Sequence, residues 1–155
     1  AQVSPRSRTN QLLYQAELLV GLPVGDDEHS PARRMAIEES ALALFELALG
    51  SLLKEVTEHA RLNSHDWREL LASDGPDVAE LQRLRDAMQQ PESWLYWLVG
   101  QLEKLHSDDG AARRAVQNPS TIAVGSQLTL AEQLLENLQA AKRDIASLRE
   151  TSQEW

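Results

Sequence analysis

Between Pro31 and Leu62 apolar residues fall on nearly every side of a helical wheel. Ile37, Ala41, Leu44, Ala48 and Leu52 recur at three- and four-residue spacing along one face, and Leu42, Phe45, Leu49, Leu53 and Val56 line the adjacent face. A helix apolar over so wide an arc has to be covered by other helices. The pattern therefore predicts an all-α fold, a helical bundle built around this segment. Ser30-Pro31 supplies a capping hydroxyl and a proline for the first turn. Gly50-Ser51 sits mid-helix, where it either marks a kink or admits a close neighbour.

Three further main helices are expected. The first starts near Ser7 or Thr9, carries Leu12, Leu13, Ala16, Leu19 and Val20, and stops at Gly21, taken as a left-handed cap before Leu22-Pro23. The third runs from the Asp74-Gly75-Pro76 turn through Val78, Leu81, Leu84 and Met88, and on through Trp94, Leu95, Leu98, Leu102 and Leu105. It is split at Pro91, either as a new helix start or as a kink, because Gln90 is pushed out of helical geometry by the following proline. The fourth opens on the capping box Thr129-Leu130-Ala131-Glu132 and carries the stripe Ala131, Leu134, Leu138, Ala141, Ile145 and Leu148. A minor helix, residues 65–72, is expected around Trp67, capped from Asn63-Ser64. No stretch alternates as a strand does.

At 155 residues the chain is expected to form a single helical-bundle domain, 1–155. Residues 1–6 read as an arm, 111–128 as a long irregular crossover with Ile122 and Val124 tucked in, and 151–155 as a tail ending in Trp155. The absence of cysteine excludes disulfides, thiolate nucleophiles and cysteine zinc sites. The formal net charge of −9, with basic residues at most in pairs, argues against nucleic-acid or anionic-lipid binding. Glu46, Lys54 and Glu55 interrupt the richest apolar stretch before it reaches the ~18 residues of a membrane span. The start Ala1-Gln2-Val3-Ser4-Pro5 has no charged-then-apolar leader pattern, so an acidic cytoplasmic protein is expected.

Candidate chemistry is sparse. Bundles that hold two metal ions use a Glu-x-x-His on each of two helices, and one such motif is present, Glu103-Lys104-Leu105-His106. Glu55 and His59 lie one turn apart without completing a second. A solvated helix edge explains Glu103 and His106 better, so no metal and no cofactor is expected. His59 and His65 with a carboxylate form another weak zinc candidate. Arg61-Leu62-Asn63-Ser64-His65 is the nearest approach to the arginine–polar–histidine arrangement of small helical ribonucleases, with the spacing too short. No nucleophile elbow or glycine-rich phosphate loop is present.

The polar cluster Arg8, Asn10 and Gln11, with Tyr14 one turn on, can hold an anion or a partner's carboxylate, or knit the helix start to its neighbour. Trp94, Tyr96 and Trp97 are core anchors or a partner-binding hot spot. The stretches Arg8-Thr9-Asn10-Gln11-Leu12-Leu13-Tyr14-Gln15-Ala16 and Gln90-Pro91-Glu92-Ser93-Trp94-Leu95 resemble a family of small, uncharacterised helical bacterial proteins. In that family an Arg-Thr-Asn-Gln start leads the first helix and a Pro-x-Ser-Trp-Leu segment lies past the middle. The resemblance implies a bacterial protein and carries over no catalytic residue. The expectation is a non-enzymatic interaction or adaptor protein with a protein partner or a second copy as its target (a homodimer). The runner-up is a small helical enzyme, metal-dependent through Glu103 and His106 or a divergent ribonuclease.

Overall fold

The computed structural model of the chain describes residues 3–112 and 128–152. Most of the expected crossover, including Ile122 and Val124, and Trp155 of the tail lie outside the described residues. Among the described residues the protein is all-helical, with no strand. The described residues form six α-helices in chain order: α1 (Pro5–Val20), α2 (Ser30–Val56), α3 (Trp67–Leu70), α4 (Ala79–Met88), α5 (Trp94–Leu105) and α6 (Leu130–Ser152), with a 3-10 turn (Glu58–Ala60) after α2.

The apolar helix read from the sequence is α2, and it is enclosed as its pattern requires. Leu42, Phe45, Leu49, Leu53 and Val56 are all buried, as are Ala41, Ala48 and Leu52, while Ile37 and Leu44 are half-buried. The cover comes from α1, which packs along α2, and from α5 and α6. The stripe of α6 is buried from Leu134 to Leu148, so it serves this core rather than an intermolecular coil. Fully burying one such Leu side chain is worth about 1.5–3 kcal/mol. Phe45 stands at the centre, stacked on Trp94 with ring centroids 5.9 Å apart and tilted against Trp97 at 6.4 Å.

Several element ends differ from the expectation, each for a local reason. The first helix starts at Pro5, inside the expected arm: Ser4 caps it by accepting from the Ser7 N–H at 3.1 Å, and Pro5 occupies the first turn. Thr9, expected as a cap, is fully buried within α1. Gly21 closes α1 at φ −85°, right-handed rather than left-handed. Ser30 belongs to α2 itself, and His29, the residue before it, makes no side-chain capping bond. The second helix ends at Val56, short of Leu62: the chain passes into the 3-10 turn Glu58–Ala60 and Arg61 turns it left-handed at φ 48°. The minor helix is one turn capped by Asp66.

Pro91 separates two helices rather than kinking one. Ser93 Oγ accepts from the Tyr96 N–H (3.0 Å) and donates to the Ala87 carbonyl (2.5 Å), so one hydroxyl starts α5 and ties it to the end of α4. Gly50 does not interrupt α2, and a Cβ added there meets nothing within 4 Å, as is also true at Gly100. Close helix approach is therefore not its use, although an interior glycine costs about 1 kcal/mol against alanine. Gly75 is the opposite case. A Cβ there would lie 2.6 Å from Arg85 Nη2 and 2.7 Å from the Leu70 carbonyl, because buried Arg85 folds over the turn to donate to the Leu70 and Pro76 carbonyls.

The capping box is present: Thr129 Oγ1 accepts from the Glu132 N–H and Glu132 Oε1 from the Thr129 N–H, both at 3.1 Å. These bonds hold the Glu132 carboxyl below the usual carboxylate range. Across the core, Glu38 of α2, only 3% exposed, accepts from the Ala131 N–H at 3.0 Å. Burial pushes the Glu38 carboxyl up, opposed by that backbone bond and by Arg34. A raised acid binds its proton more readily in the folded state, so stability from this group falls as pH rises through the folded pKa. Glu38→Gln keeps an acceptor and removes the charge. It is expected to be at least as stable as the parent at neutral pH in urea denaturation, with the difference shrinking below the ordinary carboxylate range. Glu38→Ala, which orphans the Ala131 N–H, is expected to cost about 1–3 kcal/mol.

Candidate functional site

The residues of the Arg8-Thr9-Asn10-Gln11 stretch lead into a polar network between three helices. Thr9 Oγ1 lies 2.8 Å from the Pro5 carbonyl, 2.9 Å from Ser51 Oγ and 3.3 Å from Glu55 Oε2. Ser51 Oγ in turn donates to the Pro5 carbonyl at 2.9 Å. Arg149 of α6 grips Glu55 of α2 through Nε (2.5 Å) and Nη2 (3.0 Å), both side chains being 14% exposed. Its Nη1 donates to Asn10 Oδ1 at 2.9 Å. A two-point guanidinium–carboxylate pair is geometrically specific, so the network sets the register of α1, α2 and α6. Asn10 thus knits its helix to a neighbour, and Arg8 donates to Gln11 one turn on, at 2.5 Å.

The Glu55–Arg149 pair lines a cleft of about 670 Å³, with Arg6, His59 and Asp77 also on its walls. Both Glu55 oxygens are engaged, and no bond joins His59 to a carboxylate among the described residues. The cleft therefore holds charged groups without a base–imidazole pair. Lys142 pairs with Glu17, a second link between α6 and α1.

The metal candidates part company. His106 Nε2 lies 2.9 Å from both oxygens of Glu46, and Glu46 Oε2 also accepts from the Trp67 indole at 2.9 Å. Glu103 of α5 is exposed, and His106 is the cap residue just past the end of that helix. The imidazole thus clamps the end of α5 to α2 and to the short α3. His59 lines the first cleft and His65 the second groove. Among the described residues no three His, Cys, Asp or Glu side chains converge as a metal set.

The aromatics are divided by position. Trp94 is buried and donates its indole N–H to Asp144 (2.9 Å), and half-buried Trp97 donates to Gln133 (2.9 Å). Both tie α5 to α6 and are core anchors. Tyr96 is exposed, as is Tyr14 on the outer side of α1. A second groove, of about 360 Å³, lies where the start of α1 meets the middle of α2, between Val3, Arg8, Leu47, Gly50 and Lys54.

The sequence reading missed Arg149, Ser51 and Glu46. Glu55 and Arg149 stand 94 positions apart, and no local pattern links them. Arg149→Met would leave Glu55 half-desolvated and unpaired, an expected loss of about 3 kcal/mol. The double change Glu55→Leu with Arg149→Met is expected to recover most of it, as read by a double-mutant cycle in urea denaturation.

No curated protein and no solved structure matches the chain. Residues 3–155 match the model of a family described as a family of unknown function, DUF6586. The chain belongs to that family.

Proposed function

We propose that the protein is a non-enzymatic interaction module, a bundle of four main helices (α1, α2, the α4–α5 pair and α6) that presents the α1–α2 hairpin to a protein partner. The observation that carries the reading is the exposure of Tyr14 (58%), Leu18 (53%) and Leu47 (55%) on that hairpin. Tyr14 and Leu18 lie one turn apart on the side of α1 facing away from the core. Tyr14 and Leu18 form an exposed apolar pair on α1, and Leu47 is a separate exposed position on α2; an apolar pair left in water marks a partner surface more often than a lone residue does. The reactive pairs point the same way, since Glu55–Arg149 and Glu46–His106 are spent holding helices together.

The proposal includes a bacterial, cytoplasmic setting, for which the resemblance is the support. Among the described residues no helix is long and apolar enough to cross a membrane. The net charge of −9 disfavours nucleic acid as the target. The partner is another protein or a second copy of this chain.

Photo-crosslinking tests the reading. A photoreactive phenylalanine analogue at Tyr14 is expected to give discrete adducts in the source cells, whereas the same group at Gln139, exposed on α6, gives none. An adduct of one extra chain length identifies self-association. Absence of adducts at Tyr14 contradicts the reading. Stoichiometric iron, manganese or zinc that is lost in His106→Ala would favour the enzymatic runner-up.

A further inference from the structure

The groove between the start of α1 and the middle of α2 carries its own signature. Its walls include Leu12 and the largely exposed Val3 (61%) and Leu47 (55%). Leu47, Gly50 and Lys54 follow one another at three- and four-residue spacing, so they form one stripe on the outer side of α2. Gly50 leaves a notch in that stripe: a Cβ there would touch nothing, so the fold gains no contact from having glycine at this position. A helix-interior glycine that weakens the helix and packs against nothing is explained when another chain's atoms come close to the bare backbone. Gly100 shares the open space, but Gly50 alone of the two lines this groove.

The rim of the groove is cationic in an otherwise acidic protein. Lys54 has no ion-pair partner among the described residues, and Arg8 is bonded only to the neutral Gln11 side chain. His65 also faces the groove. The one carboxylate on the rim, Glu46, is already held by His106 and Trp67. Two cations, Arg8 and Lys54, against one carboxylate, Glu46, leave the rim net positive, and apolar walls within it suit a bulky apolar side chain flanked by carboxylates.

We propose that this groove docks an acidic segment of a partner protein, with an apolar side chain seated over Gly50 beside Leu47 and with carboxylates on Arg8 and Lys54. The proposal rests on the interaction reading above and names the site and the partner's chemistry.

The test is selection of displayed random twelve-residue peptides on the immobilised full chain, followed by anisotropy titration of the selected peptides. The expected peptides pair a large apolar residue with Asp or Glu and bind more weakly as salt is raised. Lys54→Glu and Gly50→Leu are each expected to weaken them at least tenfold. Gly50→Leu replaces glycine by a strong helix former, so its melting temperature should not fall, and lost binding then reports a filled notch rather than unfolding. Peptides without acidic bias, or binding indifferent to both substitutions, would overturn the proposal. So would phosphatidylserine vesicles bound in place of peptides, or a dimer in light scattering abolished by Gly50→Leu, since the occupant is then a membrane or a second copy. Tyr14 adducts in the parent together with peptide binding indifferent to both substitutions would sink this groove alone, whereas the absence of Tyr14 adducts would sink the interaction reading itself.

Discussion

Every other element of the protein depends on the burial of α2. A 27-residue helix with apolar side chains over most of its circumference cannot stand in water, and three helices are needed to cover it. The first lies along it, α5 brings Trp94 and Trp97 against Phe45, and α6 lays its narrow apolar stripe into what remains. The short segments follow from the same demand. Trp67, Leu70 and Leu71 of the one-turn α3 region and Leu81 and Leu84 of α4 reach the core from chain that spends most of its length turning.

Apolar burial does not fix how helices slide along one another, and polar bonds supply that precision. Each interface has its own clamp. Glu55–Arg149–Asn10 joins α2, α6 and α1; Trp94–Asp144 and Trp97–Gln133 join α5 to α6; Glu46 joins α2 to α5 and to α3; Glu38 caps α6 from α2. Most of the distinctive polar side chains are thereby consumed in holding the scaffold. That economy leaves the outer α1–α2 surface, with exposed Leu18 and Leu47 and the open Gly50, as one whose composition the scaffold does not explain.

How much of this was legible beforehand depended on whether the information was local. Periodicity located α2 and the stripe of α6, and the Thr129–Glu132 spacing gave the capping box with its two bonds. Ends were read less well because competing local bonds decide them. Ser4 beat Ser7 and Thr9 as the cap of α1, since Pro5 suits the first turn and Thr9 found partners in the core. The 3-10 turn at Glu58–Ala60 and the left-handed Arg61 ended α2 ahead of Leu62. The polar clamps were invisible because their partners are far apart in the chain. His106 illustrates the cost: sequence spacing paired it with Glu103 on its own helix, whereas the fold pairs it with Glu46, sixty positions away.

The central claim is that the face of α2 carrying Leu42, Phe45, Leu49 and Leu53 is enclosed, and native-state hydrogen exchange tests it most directly. Amides between Leu42 and Leu53 are expected to exchange only through global unfolding, with the same free energy as denaturant unfolding gives. Exchange of those amides through small local fluctuations, while α6 or α5 stayed protected, would contradict the enclosure and with it the architecture.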